Sequence, residues 1–203
     1  MYDTIATKEQ LDRAIAALKN NGIDSVVAEN GADAKEKVLA MIPKGSDVMT
    51  VSSVTVDSLG IAKELNESGD YDSVRARFAS MDSKTQAKEM RAMAAAPDYV
   101  VGSVHAVTED GKLIIASNSG SQLPAYVYGA AKVILVVGAQ KITKDLEDGL
   151  RRTREYVLPL EGVRANKAYN ITTGSFISKE LVINRENVPG RISVVFVSEV
   201  VGF

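Results

Sequence analysis

The stretch GSVHAVTEDGKLIIASNSGSQLPAYVYGAAKVILVVGAQK, residues 102–141, decides the fold. It carries two strand-like apolar runs, Leu113-Ile-Ile-Ala116 and Lys132-Val-Ile-Leu-Val-Val137. Between them lies a small-polar loop, Ser117-Asn-Ser-Gly-Ser-Gln122, that leads into a helical pattern starting near Ser121. Leu123, Val127 and Ala130 share one face of that pattern, and Pro124 is tolerated in a first turn. A strand, a Ser/Gly/Asn loop and a helix N-terminus form a seat for an anion. The first-turn N–H groups have no helical partner, and the helix dipole adds partial positive charge there.

The same alternation extends in both directions. Toward the N-terminus, Thr7-Lys-Glu-Gln10 has the form of a capping box, followed by a helical spacing of Leu11, Ala14, Ile15 and Leu18 that Asn21-Gly22 stops. Strands are expected over 23–28, 47–51 and 99–101, with helices over 32–42, 56–67 and 83–96. Residues 71–79 read as a short strand or irregular chain. Toward the C-terminus, a helix is expected over 145–157, irregular chain over 159–174, and strands over 181–183 and 192–197. Strands that alternate with helices and are near-continuously apolar imply a parallel sheet covered on both faces. No repeat, low-complexity tract or linker interrupts the 203 residues, so one α/β domain spanning 1–203 is expected.

Composition narrows the function. A net charge of −2 leaves no basic excess to neutralise phosphates, which argues against nucleic acid as a partner. The longest apolar run falls far short of a membrane span, and the N-terminus has no signal-peptide pattern, so a cytoplasmic protein without a membrane partner is expected. There is no cysteine and a single histidine. A cysteine-ligated iron–sulfur cluster on this chain is thereby excluded, a thiol nucleophile is absent, and a zinc site of the common types is not expected. No organic cofactor is assigned, because neither polar loop matches a dinucleotide or P-loop spacing.

Ligands of parallel sheets bind beyond the carboxyl ends of the strands. Two loops sit directly after an expected strand and before an expected helix, Asn118-Ser119-Gly120-Ser121-Gln122 and Ser52-Ser53-Val54-Thr55. Both could hold a phosphate or carboxylate through N–H groups and hydroxyls, although an ordinary helix cap explains part of each. Gly120 would let the backbone approach a ligand closely. Lys141 follows a strand to the same edge. Arg164, in the segment expected to be irregular, could clamp a carboxylate bidentately. Arg151, Arg152 and Arg154 read mostly as a solvated helix face. His105 is a candidate acid/base. Glu109 is a candidate carboxylate nucleophile, though Glu109-Asp110-Gly111 reads equally well as a turn.

Taken together, several segments resemble the LUD domain family of lactate-utilisation proteins. These are Gly102-Ser103-Val-His105-Ala-Val-Thr108-Glu-Asp-Gly111, the run Ala116 to Ala125, Val137-Gly-Ala-Gln-Lys-Ile142, Leu150-Arg-Arg152, Pro159-Leu-Glu161 and Pro189-Gly-Arg191 through Gly202-Phe203. Ser53-Val-Thr55 with Leu59-Gly60 fits the upstream part. The resemblance implies a Rossmann-like three-layer α/β/α sandwich, as in sugar-phosphate isomerases, glucosamine-phosphate deaminase and CoA transferases. Some members act with an iron–sulfur partner subunit in oxidising lactate to pyruvate. This chain lacks their cysteine-rich extension and is similar to the small, cluster-free type. The resemblance implies no catalytic residues.

Three readings therefore compete. The first is a protein of lactate-type metabolism that binds a small organic anion at the sheet's carboxyl edge, alone or with an iron–sulfur partner. The second is a non-catalytic subunit or binding module, a homo-oligomer included, whose polar loops are caps and interfaces. The third, acyl-CoA or sugar-phosphate chemistry with Glu109 as nucleophile, rests on fold analogy.

Overall fold

The computed structural model describes residues 2–203. Thr7 caps the first helix, α1 (Lys8–Asn20), through the reciprocal pair of the capping box: Gln10 N–H donates to Thr7 Oγ1 at 3.3 Å and Thr7 N–H to Gln10 Oε1 at 2.9 Å. Then follow β1 (Asp24–Ala28), α2 (Gly31–Ala40), β2 (Asp47–Thr50), α3 (Val54–Ser58), α4 (Ile61–Glu67), β3 (Asp72–Ser73), α5 (Val74–Ala79) and α6 (Ala87–Ala95). The chain continues through β4 (Tyr99–Gly102), β5 (Ala106–Thr108), β6 (Leu113–Ser117), a π-wound turn (Ala125–Gly129), β7 (Lys132–Gly138) and β8 (Ile142–Thr143). It ends with α7 (Leu146–Arg151), a second π-wound turn (Arg152–Val157), α8 (Leu158–Tyr169), β9 (Lys179–Ile183) and β10 (Ile192–Val197).

Six strands form a wholly parallel sheet in the order β1-β10-β7-β4-β2-β3. The continuous apolar runs follow from burial on both faces. On β7, Val133, Leu135 and Val137 enter one core, which α1 covers with Ala14 and Leu18. Ile134 and Val136 enter the other, which α2, α3 and α4 cover with Val38, Val56, Ile61 and Leu65. The result is a Rossmann-like three-layer sandwich.

One strand of the opening stretch lies elsewhere. β6 is outside the parallel sheet: it pairs antiparallel with β5 and β9 in a second sheet of order β8-β5-β6-β9. The reason is the connection. A parallel neighbour needs a crossover of about a dozen residues or more, whereas β5 and β6 are joined by a tight turn. Gly111 takes φ +80° in that turn, and its N–H donates to the Thr108 carbonyl at 2.9 Å. The small sheet packs Val107, Leu113, Ile115 and Ile183 onto the core beneath the large sheet. Its other face receives α7 at Gly149, where a Cβ would come within 2.3 Å of Ile114 Cδ1.

Other segments also depart from the sequence pattern. The helix expected over 56–67 is broken at Gly60, φ +66°, and the one expected over 83–96 is regular only from Ala87. Residues 74–79 are helical because Ser73 Oγ accepts from Ala76 N–H at 3.1 Å. Of the segment expected to be irregular over 159–174, residues 159–169 belong to α8, since the wider π-wound turn carries the chain past Pro159, which reads as a helix stop, and only the residues beyond are irregular. Past Pro124 the chain winds as a π turn that buries Ala125 and Tyr126 and leaves Val127 half exposed, so Val127 does not share the inward face.

Candidate functional site

Three adjacent strands of the large sheet deliver the floor of a cleft of about 430 Å³. From the carboxyl end of β2 come Ser52, Ser53 and Thr55, from that of β4 Ser103 and His105, and from that of β7 Lys141. The loop after β6 forms one wall with Asn118, Ser119, Ser121 and Gln122. Further lining comes from α8, with Glu161 and Arg164, and from the segment beyond it, with Ile171, Phe176 and Ile177, which adjoins that loop where Ser178 Oγ donates to Asn118 Oδ1 at 3.1 Å. The sequence-predicted residues thus meet in one place, except Gly120 and Glu109, which do not line the cleft.

Lys141 lies at the floor and is only 2% exposed. Its Nζ donates to Thr55 Oγ1 at 2.8 Å, Ser103 Oγ at 3.1 Å and the Val104 carbonyl at 3.3 Å. Among the described residues, no carboxylate pairs with it. Burial pushes its pKa down to about 7, and the nearby Arg152 cation pushes the same way. Thr55 is fixed in turn, donating to the Val201 carbonyl at 3.4 Å. At Gly202, φ +64°, a Cβ would come within 2.2 Å of Thr55 Oγ1, so only glycine lets this segment close over Thr55.

His105 Nδ1 accepts the Ala116 N–H at 3.0 Å, which places the ring proton on Nε2. Among the described residues no group pairs with Nε2, and His105 lines the cleft. Burial first, then the Lys141 and Arg152 cations, push the His105 pKa down to about 3. The imidazole is therefore neutral at ordinary pH and serves as a hydrogen-bond donor.

Arg152 lies behind His105 and is fully buried, not solvated as the run of arginines suggested. Its Nη1 donates to the His105 carbonyl, and its guanidinium sits 5.9 and 5.2 Å from the Tyr2 and Tyr156 ring centroids. Among the described residues, its Nε and Nη2 find no acceptor. A buried cation with unpaired donors is costly.

The clamp role falls differently from expectation. Arg164 already holds a carboxylate, Glu161, in two contacts of 2.6 Å, and stacks 5.7 Å from the Tyr169 ring centroid. Arg75, on α5, has no ion-pair partner among the described residues. Its Nε donates to the Thr50 carbonyl at 2.9 Å and its Nη2 to Ser52 Oγ at 2.8 Å, which aims the guanidinium along the cleft rim. Sequence reasoning missed Arg75, Ser103 and Arg152. Ser103 follows β4 as Ser52 follows β2, a signal that could have found it, and Ser73 as a cap marks the helix that carries Arg75.

Around Gly120, the loop after β6 turns two of the N–H groups expected to seat an anion onto its own hydroxyls. Gly120 N–H donates to Ser117 Oγ at 2.8 Å and Ser121 N–H to Ser119 Oγ at 3.3 Å. The loop's own hydroxyls take up these two donors. Gly120 takes φ +83°, and a Cβ there would lie 2.6 Å from Lys179 Cδ. Glu109 belongs to a different surface: Arg13 Nε donates to it at 2.6 Å and Gln10 Nε2 at 3.1 Å, both from α1. Those hydrogen bonds hold its carboxyl below the usual range.

The fold and cleft define an α/β sandwich with a cation-lined cleft at the carboxyl edge of its sheet. The chain belongs to the LUD domain family, whose model matches residues 11–197. Its fold is similar to that of a DUF162 family protein from Deinococcus radiodurans, with a TM-score of 0.59 and 12% identity over 96% of this chain and 100% of that one. A weaker likeness, TM-score 0.28 and 18% identity over 70% of this chain and 53% of the other, is to eIF2B delta from Chaetomium thermophilum. No curated protein matches the chain.

Proposed function

We propose that this protein binds a small organic carboxylate in the cleft at the carboxyl ends of β2, β4 and β7, in the lactate-type metabolism that its family's name denotes. The observation that carries this reading is the buried Lys141 side chain, which among the described residues pairs with no carboxylate and has Arg152, also outside every ion pair among them, nearby. A bound carboxylate would supply the missing negative charge, and Arg75 at the rim offers it a directional partner. Phe176, Ile177 and Ile171, which also line the cleft, suit an apolar tail. A cleft of this volume lies in the range that holds drug-sized ligands, so a tail longer than that of lactate fits.

Thermal shift against lactate, pyruvate, longer 2-hydroxy and 2-oxo acids, phosphosugars and CoA tests the reading. A carboxylate at about 100 times its Kd should stabilise by about 2.7 kcal/mol. For a chain of this length that corresponds to about 5–10 °C in Tm. Lys141→Met should abolish the shift. Stabilisation by phosphosugars or CoA alone, or by nothing, would overturn the proposal.

A further inference from the structure

We infer that Lys141 is a carbonyl-condensing amine: Nζ forms an iminium with the keto carbon of a 2-oxo acid whose carboxylate is held by Arg75 and whose tail lies against Phe176 and Ile177. This rests on the carboxylate-binding reading and gives it a covalent step. Four observations on the floor of the cleft support it. Lys141 lines the cleft, and the three residues its Nζ touches, Thr55, Ser103 and Val104, line it too. Its three contacts are to a Thr hydroxyl, a Ser hydroxyl and a carbonyl, which orient a nitrogen without trapping it in an ion pair. Two of the three are hydroxyls that can turn to donate to a neutral amine. Among the described residues nothing pairs with the Nε2–H of His105, which lines the same cleft and can donate to a carbonyl oxygen.

A lysine in such surroundings also holds a usable share of neutral amine near pH 7, since burial disfavours its charged form. The neutral amine attacks with its lone pair. A C–N bond forms, the carbonyl π pair moves to oxygen, and that oxygen takes up a proton while nitrogen releases one through Ser103 Oγ. The carbinolamine hydroxyl then leaves as water after a second protonation from cleft solvent, and the nitrogen lone pair closes the C=N bond. Amine, ketone and one proton give iminium and water, with no change of oxidation level. The iminium keeps one positive charge at the buried position. It can withdraw electrons from a bond to the neighbouring carbon.

Arg152 and the other buried groups do not compete for this role, because an arginine stays protonated and Tyr126 is pushed up to high pKa by burial. Among the described residues, only Lys141 combines burial, a place at the cleft and a primary amine that can lose its proton.

The test uses the intact chain with two matched pairs, pyruvate with lactate and 2-oxohexanoate with 2-hydroxyhexanoate. Binding is measured by thermal shift without reductant, and trapping by intact mass and peptide mapping after cyanoborohydride. We expect both members of at least one pair to bind and the oxo acid alone to trap. The expected adduct is one per chain, on Lys141, with a mass gain equal to the acid less one oxygen atom. Lys141→Arg should keep the cation and lose the adduct, and mapping of the wild-type chain gives the same answer if that variant does not fold. Binding of both acids with no adduct on Lys141, or with adducts spread over surface lysines, overturns this inference and leaves the carboxylate reading standing. Failure of every acid to bind overturns both.

Discussion

Raising the pH from 6 to 9 should stabilise the folded chain through Lys141 alone. The folded lysine releases its proton near pH 7, the unfolded one near 10.4. Between those values the unfolded state holds more protons, so unfolding free energy rises with pH. The gain is complete above the unfolded pKa and is lost as pH falls through 7. Below 7 both states are protonated and the slope disappears. One group contributes at most about 1.36 kcal/mol per pH unit, which integrates to about 2.7 kcal/mol from pH 6 to 9. The groups facing Lys141 leave the window clear. His105 is neutral throughout it, Arg152 keeps its charge, and Tyr126 is raised out of range. The assay is urea unfolding of wild type and Lys141→Met at pH 6, 7, 8 and 9. Subtraction removes every titration the two chains share. The wild-type minus variant difference should climb by about 2.7 kcal/mol across the series. At pH 6 the variant should be at least as stable as wild type, because it buries no charge. A difference that does not change with pH would refute both the burial argument and the shifted lysine.

Two further outcomes separate the cleft's residues. Arg75→Met should weaken carboxylate binding about 10- to 100-fold, the scale of one charge-assisted hydrogen bond, while Arg164→Met should weaken it far less because Glu161 already occupies that guanidinium; calorimetry on the two variants checks the order. Glu109→Gln should leave ligand binding unchanged and cost at most about 1 kcal/mol, the worth of a half-exposed ion pair with Arg13, and a binding loss there would restore the carboxylate-nucleophile reading.

The parallel sheet was legible because its strands are buried on both faces. Val133 to Val137 and Ile192 to Val197 leave little choice when every side chain needs an apolar neighbour. β6 has the same composition for a different reason: one face packs on the large sheet's core and the other on α7. Burial fixes apolarity and leaves pairing direction open, so Leu113 to Ala116 could not by itself announce an antiparallel partner. The turn at Gly111 did carry that information. A connection too short for a crossover excludes a parallel neighbour whatever the strands contain.

The site divides along the same line. Ser52, Ser53, Thr55 and Lys141 were legible because a loop at the carboxyl end of a parallel strand has few places to go. The arginines were not, because their roles depend on angular position around a helix. With regular winding, Arg151 and Arg154 share a side and Arg152 takes another, and nothing in the run says which side is buried. The π-wound turn Arg152–Val157 adds a residue to the turn and lets α8 continue beyond Pro159. That turn seats Arg152 behind His105, and it makes α8 the cleft wall on which Arg164 meets Glu161 before any ligand arrives. One local irregularity therefore hid both the helix and the buried cation, and it also changed what Arg164 can do.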